Sequence, residues 1–185
     1  NGRRRQRQMC IRDRYKVHMT QIKAENVHRN LNPIEMVEEV VLSNGWDYEV
    51  DDNKNIHVEI GGNWCDYQLS YGLNEKGNII YLSCALDIKV TKHNSNEIYK
   101  LLTEINQKLS IGHFEVWMED GWPIFRHSIL ISSKNSLCKS QIEEISMIAL
   151  EECERFYPAF QFLLWDNKNA KDSIQNLMLN TIGEA

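Results

Sequence analysis

The chain has 185 residues, of which 42% are hydrophobic and 25% charged, and its formal net charge is −5. This length and balance are typical of a soluble domain large enough to bury a hydrophobic core. Charged or polar side chains interrupt every apolar run well before the roughly 20 residues that a membrane-spanning helix needs, which argues against an integral membrane protein.

The first fourteen residues differ in character from the rest. Arg4–Asp13 matches the in-frame translation of a transposase sequencing adapter, and Arg14 fits the next partial codon. We therefore interpret residues 1–14 as a disordered addition from reagent DNA, in preference to a basic arm for nucleic acid. Residues 15–31 read as a polar lead-in, and residues 32–185 are predicted to form a single domain.

Without that segment the chain is strongly acidic. Residues 1–14 hold six Arg and one Asp, so the remaining 171 residues carry a formal charge of −10. Such a body repels phosphate backbones, whose neutralisation by Lys and Arg supplies most nonspecific nucleic-acid affinity. Nucleic-acid binding is therefore not expected.

The cysteines point to a reducing compartment. There are five, an odd number at irregular spacings, in a chain too long to depend on disulfide staples. The basic N-terminus also lacks the continuous apolar segment of a secretory signal. We expect reduced thiols in a cytoplasmic protein.

The first predicted element is a helix that begins after Asn32. Asn32 can cap it, Pro33 suits the first helical position, and Glu35 completes a capping box. Gly45 supplies the stop. Apolar residues recur between them at near-helical spacing, which predicts one short amphipathic helix.

Four segments with alternating apolar and polar residues follow. They begin at Tyr48, Ile56, Cys65 and Ile80, and the last alternates as far as Val90. A period of two predicts strands with one buried face. The breaks between them are short and built from turn residues, so an antiparallel meander is expected.

A second helix and a hairpin come next. Asn94 and Glu97 form another capping-box pair before a helical apolar pattern. The strands 112–118 and 123–132 are joined near Asp120–Gly121, a strong hairpin signal. If those two residues are the loop, Glu115 faces Arg126 across the ladder.

The last elements are helical. Ser140 with Glu143 predicts the cap of a third helix, whose apolar stripe runs as far as Phe156. Pro158 is expected to kink or restart this helix, because proline lacks the N–H that the helix interior uses. A final helix is predicted over about residues 170–180.

The predicted class is therefore α+β. The order is helix, four strands, helix, two-stranded hairpin, helix and tail. An antiparallel sheet of about five to six strands, covered by helices on one side, is the simplest arrangement that buries these faces.

Several local motifs together resemble the bacterial YbjN-domain family, over roughly residues 32–185. They are Gly62–Tyr67, Ser83–Asp87, Gly112–Phe114, Phe125–His127 and Glu151–Phe162. The resemblance implies a fold similar to type III secretion chaperones and a role as a sensory-transduction or stress regulator. It also implies a protein partner or a homodimer, and no established reaction. We therefore expect a chaperone-like protein-binding surface and no enzymatic activity, no cofactor and no metal.

The cysteines and histidines allow metal or nucleophile chemistry as well as packing. Cys65 and Cys84 could bind zinc with His113 or His127, or a thiol could pair with histidine as a nucleophile, but no close Cys or His pair marks either site. Both cysteines occupy apolar strand positions, where free Cys packs as a small hydrophobe. The alternative function is an enzyme or small-ligand domain with a pocket near Trp64, His113 and His127.

The segment from Phe156 to Trp165 is apolar on nearly every side. A surface helix buries only one stripe, so this pattern predicts a second covering layer, either the chain's own tail at Ile174–Ile182 or another molecule. Central core is the common fate of such runs. The interface prediction is centred on Phe162 and Trp165, and its full set of candidate residues is Phe156, Tyr157, Phe160, Phe162 and Trp165.

Overall fold

A computed structural model of the chain describes residues 32–74, 76–117, 119–132, 137–165, 170 and 172–174, except for the side chain of Lys92. The predictions for residues 1–14 and 15–31 lie outside this range, as do most of the predicted final helix and Ile182. Ala170 and residues 172–174 are helical.

The described residues form three α-helices and six strands, in the predicted order. A short 3-10 turn, Lys92–Asn94, precedes the second helix. The helices are α1 (Pro33–Ser43), α2 (Ser95–Asn106) and α3 (Lys139–Trp165), and the strands are β1 (Tyr48–Val50), β2 (Ile56–Gly61), β3 (Asp66–Leu73), β4 (Ile79–Ala85), β5 (His113–Trp117) and β6 (Trp122–Leu130).

All six strands belong to one sheet of order β1-β2-β3-β4-β6-β5. Every neighbouring pair is antiparallel, as predicted. The β5–β6 hairpin follows α2 and places β6, not β5, beside β4. The predicted α+β class and antiparallel sheet are thus confirmed.

The sheet has two chemically different faces. One face packs with the buried residues of all three helices in a single core, to which it contributes fully buried side chains. Those strand residues are Ile56, Val58, Tyr67, Leu69, Tyr71, Ile80, Leu82, Cys84, Phe114 and Phe125.

We call the opposite side of the sheet the open face. Its side chains stand outside that core, and nearly all of them are half-buried or exposed. Its residues are Glu49, His57, Glu59, Asp66, Gln68, Ser70, Ile79, Tyr81, Ser83, Ala85, Trp122, Ile124, Arg126, Ser128, Leu130, His113, Glu115 and Trp117.

The start and stop of α1 follow the local sequence. Asn32 Oδ1 accepts a hydrogen bond from the Ile34 N–H at 3.3 Å, and the Glu35 carboxylate accepts from the Asn32 N–H at 3.0 Å. Gly45 beyond the helix has a φ of +67°, a left-handed conformation that glycine adopts at low cost. The predicted capping box is confirmed.

The capping box predicted for α2 is wrong. Asn94 makes no side-chain cap bond, because the 3-10 turn already brings the chain into the helix. Glu97 instead accepts from Lys100 Nζ at 2.6 Å and from the Ala170 N–H at 3.2 Å. It therefore ties the C-terminal tail to α2.

Two predictions for α3 need correction. The helix begins at Lys139, before the predicted cap Ser140, and Gln141 Oε1 accepts from the Cys138 N–H at 3.0 Å. The helix does not restart at Pro158. It is continuous through that residue and is 27 residues long in all. Pro158 and its neighbours are buried, so core packing offsets the helical hydrogen bond that proline cannot donate.

The predicted fourth strand is too long. β4 ends at Ala85, although Leu86, Ile88 and Val90 stay buried in alternation. The chain turns tightly there, since the Ile88 N–H bonds the Leu86 carbonyl at 2.7 Å. The backbone N–H groups of Leu86 and Val90, at the two ends of this stretch, bond carbonyls at the end of the β5–β6 hairpin. They do not continue the regular ladder of β4.

The hairpin also differs from its predicted register. Trp117 pairs with Trp122, and both amides of Asp120–Gly121 donate to the Trp117 carbonyl, at 3.1 and 2.6 Å. The loop therefore has four residues in place of two.

As a result Glu115 lies opposite Ile124 and not opposite Arg126. The predicted faces are still correct, because a shift of two residues keeps the alternation. Glu115 Oε1 and Arg126 Nη1 meet diagonally at 3.3 Å.

One side chain forms hydrogen bonds with the backbone at the outer edge of β5. Asn106, the last residue of α2, donates from Nδ2 to the Phe114 carbonyl at 3.0 Å and accepts at Oδ1 from the Phe114 N–H at 2.7 Å. The amide thus bonds the strand as a neighbouring peptide group would. It also fixes α2 against β5.

We expect Asn106→Ala to destabilise the protein by about 1–3 kcal/mol, because it leaves two backbone groups of Phe114 unpaired. Asn106→Asp keeps the acceptor for the Phe114 N–H, but near neutral pH it places a carboxylate oxygen against the Phe114 carbonyl, so it should destabilise the protein as well. Urea unfolding followed by circular dichroism measures both. Glu104→Ala, at an exposed position of the same helix, is the control and should leave the midpoint unchanged.

A carboxylate organises the β1–β2 turn. Asp51 accepts hydrogen bonds from the side chain and the N–H of Asn55, each at 2.8 Å, and from the Asn53 N–H at 2.9 Å. His57 Nε2 lies 3.3 Å from the same group. These bonds, led by those from Asn55, lower the pKa of Asp51 to about 2.

This shift predicts an acid-dependent contribution. The ionised Asp51 should stabilise the protein above its unfolded-state pKa near 4, and the contribution should disappear as the pH falls towards 2. The difference in urea midpoint between the parent and Asp51→Asn should therefore be largest near neutral pH and shrink between about pH 4 and pH 2. Asp52→Asn, at the exposed neighbouring position, should show no such pH-dependent difference.

Candidate protein-binding surfaces

The first part of the aromatic segment lies in the core. Phe156 and Phe160 are 0% exposed and Tyr157 is 6% exposed. Phe114 of β5 contacts Phe156 edge-to-face and Phe160 at a tilt, with ring centroids 5.9 and 5.7 Å apart. These burials correct the predicted interface set, since the three side chains have almost no surface to offer a partner.

Exposure returns at the last turn of α3. Leu163 is buried, whereas Phe162 and Leu164 are half-buried, and Trp165 is 69% exposed. We call Phe162, Leu164 and Trp165 the α3 end. The interface hypothesis is thereby restricted to these residues, of which Phe162 and Trp165 belong to the predicted set.

Two residues of the chain's own tail are buried. Ala170 and Ile174 are 4% and 7% exposed and belong to the helix-side core. The hydrogen bond from the Ala170 N–H to Glu97 holds this stretch against α2. Ile174 thus belongs to the same core as Phe156 and Phe160.

A second set of contacts fastens the β2–β3 loop to α3. Glu154 accepts from the Asn63 N–H at 2.6 Å and from Asn63 Nδ2 at 3.0 Å. Trp64 stacks on Tyr157 with ring centroids 6.1 Å apart and planes 10° apart. At Gly62, a Cβ would lie 2.1 Å from the Tyr67 ring, so only glycine fits.

The cysteines are placed for packing. Cys84 and Cys153 are buried and Cys65 is half-buried, all as free thiols. Burial raises the pKa of Cys65 to about 11 and that of Cys153 well above its ordinary value. At these two cysteines the thiolate that nucleophilic or ligand chemistry requires is therefore disfavoured. Among the described residues no three His, Cys, Asp or Glu side chains are grouped to hold a metal ion.

The two histidines of the alternative pocket lie on opposite faces of the sheet. His113 is on the open face, where Nε2 is 3.6 Å from Glu115 Oε2. His127 is half-buried on the helix side. Burial, and then the nearby His113, lower the pKa of His127 below its ordinary value.

Trp64 does not approach His127. His127 is level with Leu82 and Tyr71 across the ladder, whereas Trp64 precedes β3 at its Asp66 end. Five strand residues separate these levels, about 17 Å. The structure thus does not assemble a pocket from Trp64, His113 and His127.

A cavity of about 310 Å³ lies instead beside β1, β2 and β3. The sequence did not indicate it, because its residues come from three strands with no shared motif. Glu59 Oε2 there accepts from Gln68 Nε2 at 3.0 Å. The lining residues are Asp47, Tyr48, Glu49, His57, Val58, Glu59 and Gln68.

The comparisons with known proteins agree with this architecture. In the part of the chain that the structure describes, no helix is long and apolar enough to cross a membrane. A search of curated proteins finds no relative by sequence. Among solved structures, the chain is similar to that of YbjN from E. coli, titled a "putative transcription regulator", with a TM-score of 0.51 and 14% identity over 65% of this chain and 85% of that chain.

A family model described as "Putative bacterial sensory transduction regulator" matches residues 33–162. This match spans α1 to the last turns of α3, which is most of the chain, and includes every motif on which the resemblance was based. The chain belongs to the YbjN family.

Proposed function

We propose that this protein is a non-enzymatic regulatory module that works by binding a protein partner in the bacterial cytoplasm. The family description as a sensory transduction regulator supports a regulatory role. The raised thiol pKa values and the separation of Trp64, His113 and His127 support a role without catalysis.

The observation that carries the proposal is the exposure of the α3 end. Trp165 is 69% exposed at the end of a helix that is otherwise anchored in the core. Large aromatic side chains on a rigid element lose little conformational entropy on binding and supply much of the energy at protein interfaces. Phe162 and Leu164, both half-buried, extend this apolar surface.

The charge of the same helix indicates what kind of partner it suits. Glu143, Glu144 and Glu151 are exposed along α3, and residues 15–185 carry a net charge of −10. A chain of this net charge favours a partner of net positive charge and disfavours a phosphate backbone. The proposal is therefore a protein partner and not DNA, a stress or sensory regulator acting through a chaperone-like surface.

Replacing an aromatic side chain of the α3 end should abolish binding of the partner without unfolding the protein. We expect Trp165→Glu and Phe162→Glu to reduce the recovery of a specific partner at least about tenfold, since an interface aromatic contributes on the order of 2 kcal/mol or more. Tagged protein purified from the native host, followed by quantitative mass spectrometry, measures the loss. Circular dichroism establishes that each variant is folded.

Tyr99→Glu is the matched control, because Tyr99 is an exposed aromatic, 49% accessible, on α2. It should recover the partner as the parent does. Equal recovery by the parent and both α3 variants, all folded, would reject the α3 end as the binding surface.

A further inference from the structure

Three polar side chains at the open face form a continuous chain of hydrogen bonds. His57 Nδ1 lies 2.9 Å from Ser70 Oγ, and His57 Nε2 lies 3.3 Å from Asp51 Oδ2. His57 and Ser70 are directly opposite each other in the β2–β3 ladder, a position that brings their Cβ atoms to about 5 Å. A hydroxyl, an imidazole and a carboxylate bonded in this order are the groups of an activated serine nucleophile.

The carboxylate determines which nitrogen of His57 carries the hydrogen. Asp51 is held in place by bonds from Asn53 and Asn55, and its lowered pKa keeps it ionised near neutral pH. An ionised carboxylate only accepts hydrogen bonds, so the neutral imidazole donates from Nε2 and leaves Nδ1 without a hydrogen. Nδ1 therefore accepts from the Ser70 hydroxyl. That is the direction of proton transfer that a general base requires.

The Ser70–His57 pair can be reached from the cavity of about 310 Å³ beside β1, β2 and β3. His57 lines that cavity, and the side chains of His57 and Ser70 are both half-buried. Gln68, another lining residue, precedes Ser70 by two positions on the same face of β3, a distance of about 7 Å. A molecule in the cavity can therefore lie against β2 while its reacting carbon reaches Ser70 Oγ.

The charge of the cavity selects the kind of molecule that it admits. Its lining includes the exposed carboxylates of Asp47, Glu49 and Glu59 and no Lys or Arg. A cavity lined by one sign of charge lowers the local concentration of ions of that sign. Negatively charged acyl donors such as acyl phosphates are thus disfavoured, and uncharged or positively charged donors are favoured.

We propose that Ser70 is an acyl acceptor, modified by an uncharged or positively charged activated ester with His57 as the general base. Ser70 Oγ attacks the carbonyl carbon of the ester and gives its proton to His57 Nδ1. The bond from that carbon to the leaving oxygen breaks, and the same proton passes to this oxygen. An alcohol leaves and the acyl group stays on Ser70. Asp51 is a positioning residue, which fixes the ring of His57 and its tautomer.

The position of Ser70 in the sheet limits this chemistry to one event per chain. β3 lies between β2 and β4, so the backbone N–H groups around Ser70 are used in the two ladders. They are not available to stabilise an oxyanion as they do in serine hydrolases. An activated ester reacts because its leaving group is good, whereas the resulting serine ester has a poor one and persists. Such a lasting covalent mark is compatible with a regulatory module, and it is independent of the partner proposed for the α3 end.

The uncharged activated ester p-nitrophenyl acetate tests the proposal on the full chain. We expect one acetyl group per chain, measured by the release of p-nitrophenol and located on Ser70 by peptide mass spectrometry. Ser83 is the matched internal control, because it lies opposite Ser70 on the same face and has no hydrogen bond to a histidine among the described residues. Equal acetylation of Ser70 and Ser83, or acetyl groups only on lysines or on His57, would overturn the proposal.

Two variants test the role of the base. His57→Gln keeps a polar side chain and removes the general base, so it should slow the acetylation of Ser70 at least about tenfold. Ser83→Ala should leave the rate unchanged. Circular dichroism establishes that both variants are folded. A folded His57→Gln protein that is acetylated at Ser70 as fast as the parent overturns the assignment.

The positioning role of Asp51 has a spectroscopic test. Nitrogen NMR of the His57 ring should show the hydrogen on Nε2 in the parent. In Asp51→Asn, the new amide donates towards Nε2 and should move the hydrogen to Nδ1, which removes the acceptor for Ser70 and slows its acetylation at least about tenfold. A hydrogen on Nδ1 in the parent overturns the proposal, since that nitrogen could then not accept the Ser70 proton.

Discussion

Most of this structure depends on one constraint, that the six-stranded sheet has a single strongly apolar face. Alternating strands place Tyr67, Leu69 and Leu82 on that face, and water must be excluded from it over its full width. Three helices are therefore needed on one side. Even the buried polar groups serve this packing, since the Tyr71 hydroxyl donates to Ser146 Oγ at 2.8 Å and joins β3 to α3 within the core.

The elements that depend on near neighbours in sequence were the predictable ones. The α1 cap needs only Asn32 and Glu35, three residues apart, and it forms as expected. Errors arose where a distant group competed. Glu97 does not complete a local cap, and its carboxylate instead bonds Lys100 and Ala170, the latter 73 residues away. The hairpin register shifted because four loop residues, and not two, close on Trp117, which no local dipeptide signal specifies.

The candidate binding surfaces show the same contrast between what neighbouring residues specify and what only the fold specifies. Hydropathy predicted that a second layer covers the segment Phe156–Trp165. It could not distinguish a buried side chain, Phe160 at 0% exposed, from an exposed one, Trp165 at 69%. That distinction depends on where β5 lies, since Phe114 of that strand contacts Phe160. Likewise no local pattern links Glu154 to Asn63, 91 residues away, and only the fold shows that the two bind each other.

The Asn106 amide has a consequence beyond the stability of α2. Edge strands offer unpaired peptide groups that can template the addition of further strands, and proteins commonly protect such edges with charges, bulges or covering loops. Here a single side chain occupies the hydrogen-bonding positions of Phe114 from the direction in which a foreign strand would arrive. Growth of the sheet at β5 into open-ended polymers is thereby blocked at the second residue of that strand, and the chain can keep aromatic residues at this margin without inviting aggregation there.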